Sequence, residues 1–217
     1  MRKVILSFTL LGSNFIGECQ FINTSVCVGN PITTVTLDPA KTPDATLSGG
    51  NLTATRTANG GTYSTTGHTT GKYYYELVFN TLQFDGFTSL NYGGTYLQYN
   101  YANVFSSDCN SSTIYLYSNG SGAGSISGNY GNNGDVIGIC VDLTDQKWFM
   151  FNNAGTLLNS ANLTTLAGGI SMSTGGSVVY AGGYLYSSGS SITARFLSTS
   201  WTNPGKSTAI SAGYSQW

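Results

Sequence analysis

Charge is what this sequence has least of. Only 8% of its 217 residues are Asp, Glu, Lys or Arg, against an ordinary share of about a quarter. The formal net charge is −1, and Arg2, Lys3, Arg56, Lys72, Lys147 and Arg195 are dispersed along the chain. No basic cluster can displace counterions from a phosphate backbone, which excludes nucleic acid as the expected partner. No apolar run reaches the ~20 residues that span a bilayer, so no membrane insertion is expected. Histidine occurs once, at His68 between Gly67 and Thr69. A hydrolase would need it beside a nucleophile and an orienting carboxylate, and no Gly-x-Ser-x-Gly elbow serves it. The stretch Thr65–Thr70 reads instead as a surface turn. The nine acids form no pair that points to glycoside cleavage. Asp38 and Asp44 sit in Pro-bearing turns, and Asp142 and Asp145 flank a tight turn. The four cysteines, Cys19, Cys27, Cys109 and Cys140, lack the close pairing of zinc ligands. No catalytic residue, metal or cofactor is expected, and the chain is expected not to be an enzyme.

Low charge without apolar content would mean disorder. Here 40% hydrophobic and 13% aromatic residues supply a core. Thr, Tyr, Val and Ile fit a pleated surface, and 29 glycines serve the turns. The residue palette predicts a folded all-β protein made soluble by hydroxyls and amides.

Met1-Arg2-Lys3 followed by the apolar run Val4–Leu11 has the start and short core of a signal peptide. Against that stands a first β-strand, because no small-x-small cleavage site follows. Residues 1–33 form an apolar segment with no core of its own, expected to dock on another subunit. From Val35 onward short apolar runs alternate with Gly, Asn and Ser turns, the spacing of a sandwich or barrel. The clearest strand is Gly71–Phe79, whose alternation puts Tyr73, Tyr75, Leu77 and Phe79 on one face and Tyr74, Glu76 and Val78 on the other. A second, Asp135–Leu143, aligns Ile137, Ile139, Val141 and Leu143 and leaves Cys140 as a small buried residue. It turns through Asp145-Gln146 into Lys147–Phe151, a β-meander. Later strand runs are Ser177–Tyr180 and Ser191–Phe196, while Asn162–Leu166 suits a short helical turn.

Four segments carry a resemblance. They are Thr46–Thr55, then Gly71–Glu76, then Gly134–Gly138 with Asp142-Leu143, and finally Gly189–Phe196. In this order, over roughly residues 35 to 200, they resemble a SPRY (B30.2-like) domain in the version common in tailed-phage and prophage proteins. Where that family often has Lys-Asn-Gly after the meander, this chain has Asn152-Asn153-Ala154-Gly155. The resemblance implies two packed antiparallel sheets, a β-sandwich of concanavalin-like or jelly-roll topology. The expected organisation is an N-terminal strand and anchoring segment over 1–33, the sandwich over 34–200 and a C-terminal tail over 201–217.

The expected function follows from the same resemblance. It implies a virion protein on an extracellular particle surface, a tail fibre, spike or capsid decoration that contacts the host. Homo-oligomers are expected from particle symmetry, joined to other virion subunits through residues 1–33. Sugar rings pack on aromatic faces while amides bond their hydroxyls, so a host surface polysaccharide suits a chain with many Tyr and Asn and few charges. The tyrosines placed for that contact are Tyr92, Tyr96, Tyr99 and Tyr101, with Tyr184 and Tyr186 as a second rim; the competing reading is that these rings cover a sheet. Other readings are a purely architectural virion subunit, a cellular SPRY module that binds a peptide through its loops, and a secreted protein.

Overall fold

The computed structural model describes residues 8–10, 13–15, 34–42, 44–57, 60–81, 86–92, 104–110, 113–118, 121–127, 132–185 and 188–217. Internal contacts divide the chain into Met1–Thr34 and Val35–Trp217. In the first unit, β1 (Phe8–Leu10) and β2 (Ser13–Phe15) form an antiparallel hairpin with Phe8 opposite Phe15. Cys19 and Cys27 lie outside the described residues.

The second unit holds two sheets. One is built from β3 (Ala45–Ser48), β4 (Thr53–Arg56), β6 (Lys72–Thr81), β11 (Val136–Asp142), β12 (Lys147–Phe151), β13 (Ile170–Ser171), β15 (Ser191–Arg195) and β16 (Ser215–Gln216). Its order is β13-β12-β11-β6-β15-β4-β3. The short β16 runs parallel to β6, pairing with Tyr73 and Tyr74. The other sheet combines β5 (Gly60–His68), β7 (Gly86–Tyr92), β8 (Val104–Asn110), β9 (Thr113–Ser118), β10 (Ser121–Ser127) and β14 (Val179–Leu185), in the order β10-β9-β8-β7-β14-β5.

The alternation expected for β6 is realised. Tyr75, Leu77 and Phe79 are fully buried in a core shared with Ile137, Ile139 and Val141 of β11 and with Val179, Ala181 and Leu185 of β14. That core lies between the sheets, because it draws on both. The opposite face of β6 is buried as well, which the alternation did not foretell. Tyr74 joins Cys140, Phe149, Phe151, Leu163, Trp201, Ala209 and Tyr214 in a second apolar cluster.

Three of that cluster's members, Trp201, Ala209 and Tyr214, lie in residues 201–217, the stretch expected to be a tail. It packs on the sandwich instead. It carries α1 (Lys206–Ser211), buries Trp201, Tyr214 and Trp217, and ends in β16. Trp217, 2% exposed, donates from Nε1 to Ser64 Oγ at 3.2 Å and to the Thr66 carbonyl at 2.9 Å. The core thus extends past the expected boundary at residue 200.

The turn expected at Asn162–Leu166 is a single hydrogen-bonded turn over Leu163–Thr165. Asn162 Oδ1 accepts from the amides of Thr164 and Thr165, each at 2.9 Å, and Leu166 takes φ +61°. A side chain that accepts from the amides two and three residues on is the N-cap arrangement, and the left-handed Leu166 ends the turn after one round.

Candidate functional site

Three places on the described molecule combine polar groups, and they differ in what those groups are used for. The first is the Glu76 carboxylate on β6, fully buried. Oε1 accepts from Tyr74 Oη at 3.1 Å and from the Asn203 amide at 2.8 Å. Oε2 accepts from the Thr202 amide at 2.8 Å and lies 3.4 Å from an Arg195 guanidinium nitrogen. That same nitrogen contacts Thr202 Oγ1. Two successive backbone amides converge on one carboxylate, and Asn203 continues the brace. Its Nδ2 donates to the carbonyls of Val136 (2.6 Å) and Asn152 (2.8 Å), and its Oδ1 accepts from the Gly205 amide at 2.8 Å. The arrangement holds residues 202–205 against β6 and β11. Each carboxylate oxygen has two partners, so Glu76 serves as a clamp.

Burial pushes the Tyr74 hydroxyl far above the ordinary phenol range, reinforced by the nearby Glu76 charge. It pushes the Cys140 thiol up too. A thiol held protonated in an apolar setting is a poor nucleophile.

The second place surrounds His68. It is the last residue of β5, half-buried, and not the surface turn expected from Thr65–Thr70. Its ring stacks on Tyr73 with centroids 3.8 Å apart, and meets Trp217 edge-on at 5.1 Å. Nε2 is buried with no hydrogen-bond partner among the described residues, and burial lowers the imidazole's affinity for a proton. Among the described residues no carboxylate or hydroxyl hydrogen-bonds the imidazole, so the partners of a general base are not engaged there.

Asp142 ends β11 and braces the turn that follows. Its Oδ1 accepts from the amides of Thr144 (3.1 Å) and Asp145 (2.9 Å), and Oδ2 lies 2.9 Å from Lys72 Nζ. This is the local backbone bonding the sequence pointed to. Among the described residues, no group of three His, Cys, Asp or Glu side chains is placed to hold a metal ion.

The third place is a cleft of about 380 Å³ between the loop after β12 and one face of α1. Thr208, Ser211 and Ala212 reach it at spacings of three and four residues, which share a helix face. Ala209 points the other way, into the second apolar cluster. The loop wall is fixed by its own backbone. Thr156 N donates to Asn152 Oδ1 at 2.8 Å, Asn159 Nδ2 to the Gly168 carbonyl at 2.9 Å, and Asn162 N to the Ala167 carbonyl at 2.9 Å. Gly155 (φ +75°) abuts the Pro204–Gly205 backbone so closely that a Cβ would stand 2.6 Å from Gly205 N. Local pattern does not mark this cleft, because its two walls are about fifty residues apart in sequence.

Of the tyrosines expected to contact ligand, Tyr96, Tyr99, Tyr101 and Tyr186 lie outside the described residues. Tyr92 ends β7, opposite Val179. Tyr184 on β14 stands between Phe87 of β7 and Gly61 of β5. The β7–β14 ladder is unbroken from Val179 to Leu185.

No protein-family model matches the chain, and no curated protein does. Among solved structures it is similar to the SPRY domain of human HERC1, at 16% identity and a TM-score of 0.58, over 73% of this chain and 96% of that one. It is similar also to the TRIM65 PSpry domain, at 11% identity and a TM-score of 0.57, over 74% of this chain and 90% of that one. Likeness at such identity speaks of fold, and the fold is the antiparallel β-sandwich of SPRY domains.

Proposed function

We propose that this chain is a non-catalytic recognition protein of a tailed-phage or prophage particle, a tail fibre, spike or capsid decoration that holds a neutral polysaccharide of the host surface. The observation that carries the reading is the use made of charge. Among the described residues the two fully buried carboxylates, Glu76 and Asp142, are both engaged in bracing backbone. What remains for recognition is a surface of hydroxyls, amides and tyrosines on a chain with 8% charged residues. The order of the four SPRY-like segments supports the particle context, and residues 1–34, a unit of their own, are the part that joins other virion subunits. The copies assemble as homo-oligomers at the particle surface.

The test is binding of the purified protein to an array of bacterial surface polysaccharides, beside a Tyr96→Ala/Tyr99→Ala variant. Saturable binding lost in the variant supports the reading and puts the contact in the Tyr92–Tyr101 stretch. Binding that survives moves the contact elsewhere. Absence of binding to every glycan refutes the adhesin and leaves an architectural subunit. A second reading, a cellular module that binds a peptide through its loops, is favoured by the fold likeness to HERC1 and TRIM65 domains. Capture of a peptide from a random library, with none of a glycan, would establish it.

A further inference from the structure

We infer that the cleft between α1 and the loop after β12 is a seat for a neutral, hydroxyl-rich ligand of the size of one or two sugar rings. Its volume of about 380 Å³ lies within the range of small-molecule sites. None of its lining residues is charged. The neighbouring Lys206 ammonium is tied to the Trp201 carbonyl at 2.7 Å. A phosphate, carboxylate or ammonium ligand would leave water with nothing of opposite sign to meet it.

A purely apolar ligand fits no better. Asn162, Thr164, Thr208 and Ser211 line the cleft, and the Asn162 side-chain Nδ2 and the three hydroxyls have no hydrogen-bond partner among the described residues. Covering them with hydrocarbon would strip their water without replacement. Leu157 and Ala212 supply apolar wall between them. A ring with C–H faces and hydroxyl edges meets both demands at once.

The backbone decides between a sugar and a peptide. An extended peptide adds to free main-chain donors and acceptors. Here the Asn162 amide goes to Ala167, those of Thr164 and Thr165 to Asn162 Oδ1, and that of Ala212 to Thr208 and Ala209. Those donors are spent within the chain, so recognition falls to side-chain hydroxyls and an amide. The spent donors also make the wall rigid, and a preformed site loses little conformational freedom on binding. The inference shares only its ligand class with the glycan-binding reading. It concerns different residues from the tyrosines, so the two can fail separately.

The experiment is an NMR titration of the ¹⁵N-labelled full chain with D-glucose, D-galactose, N-acetyl-D-glucosamine and L-rhamnose, each alone. The tripeptide Ala-Ser-Ala and inorganic sulfate serve as further probes. At least one sugar is expected to give saturable shifts at amides of 155–164 and 208–212. The Thr208→Val/Ser211→Ala variant removes two exposed hydroxyls without touching the core. It is expected to weaken that sugar about tenfold, as two hydrogen bonds of roughly 0.7 kcal/mol each imply, at unchanged melting temperature. Asn162→Asp keeps the turn acceptor and removes the amide donor, and is expected to weaken binding too. Tyr96→Ala/Tyr99→Ala is expected to leave it intact. The inference is overturned if no sugar saturates, if the shifts fall elsewhere, or if the cleft variants bind as the parent does. It is overturned in favour of a peptide groove or an anion site if Ala-Ser-Ala or sulfate takes the cleft instead. Loss of sugar binding in the tyrosine variant alone would remove this seat while sustaining the tyrosine site.

Discussion

Replacing Glu76 by Gln tests whether one buried carboxylate fastens the C-terminal segment to the sheet. The substitution keeps shape and volume but exchanges an acceptor for an NH₂ donor. The amides of Thr202 and Asn203 both point at the carboxylate, each at 2.8 Å. Either orientation of the new amide therefore sets one backbone N–H against another donor. The less costly orientation places NH₂ on the Asn203 side, because the Tyr74 hydroxyl can turn and accept. The Asn203 amide, in a residue 1% exposed, then loses its acceptor at a cost of about 1–3 kcal/mol. Charge assistance is withdrawn from the Thr202 bond as well, worth about 1 kcal/mol. The Arg195 contact adds little, since that side chain is 26% exposed and 3.4 Å away, in the range of surface pairs worth roughly 0–1 kcal/mol.

The sum is about 2–4 kcal/mol. With a urea slope of about 2–3 kcal/mol/M, the unfolding midpoint falls by roughly 1 M. Hydrogen exchange at the Thr202 and Asn203 amides is expected to quicken more than at Ile139 or Val141. A midpoint within about 0.2 M of the parent, with those amides still protected, would refute the clamp.

Other substitutions probe the same scaffold. Trp217→Ala deletes a side chain 2% exposed that bonds Ser64 and Thr66, and is expected to cost about 3–5 kcal/mol in thermal unfolding; a loose terminal tail would show almost no change. Gly205→Ala drives a Cβ to 2.4 Å from the Phe151 ring and is expected to destabilise by about 1–3 kcal/mol, read as a lower melting temperature. Stability is expected to fall with acidification through the region just below pH ~6.5. Burial lowers the folded-state affinity of His68 for a proton, so the unfolded chain protonates first and gains as pH drops. His68 is the only histidine, so His68→Gln should flatten the slope of melting temperature between pH ~5.5 and ~7. A slope of opposite sign, or one unchanged in the variant, would refute that assignment.

The strands that sequence reveals are those whose face is decided by their own residues. β6 and β11 place Tyr75, Leu77, Phe79, Ile137, Ile139 and Val141 at every second position, and the core between the sheets takes those side chains. The C-terminal segment hides because its apolar anchors stand alone among polar neighbours: Trp201 before Thr202, Tyr214 before Ser215, Trp217 after Gln216. Their burial depends on distant partners. A trace was present all the same. Cys140, Phe149 and Phe151 make the meander apolar on its outer face as well, and a strand apolar on both faces implies a cover on both. Something had to lie over Tyr74, and the final residues are what does. His68 was misplaced for a similar reason. Thr and Gly around it read as a turn, while the ladder to Val179 and the stacking on Tyr73 make it the end of a strand.

Sites are less legible than strands, because clefts are made by segments that meet only after folding. The loop at 155–164 and the helix at 206–211 carry no motif, yet their meeting gathers four neutral polar groups and no charge. That charge pattern has a consequence for binding at this cleft. Exposed charges lose their mutual influence beyond a Debye length, which shrinks from about 14 Å near 50 mM salt to ~4–5 Å near 500 mM. A ligand held by ionic contacts therefore loosens as salt rises, whereas one held by hydroxyls and an amide does not. Sugar affinity at the cleft is expected to change less than about twofold over that salt range. A steep decline would mean that a charged group outside the cleft carries the interaction, and the neutral-ligand argument would fail with it.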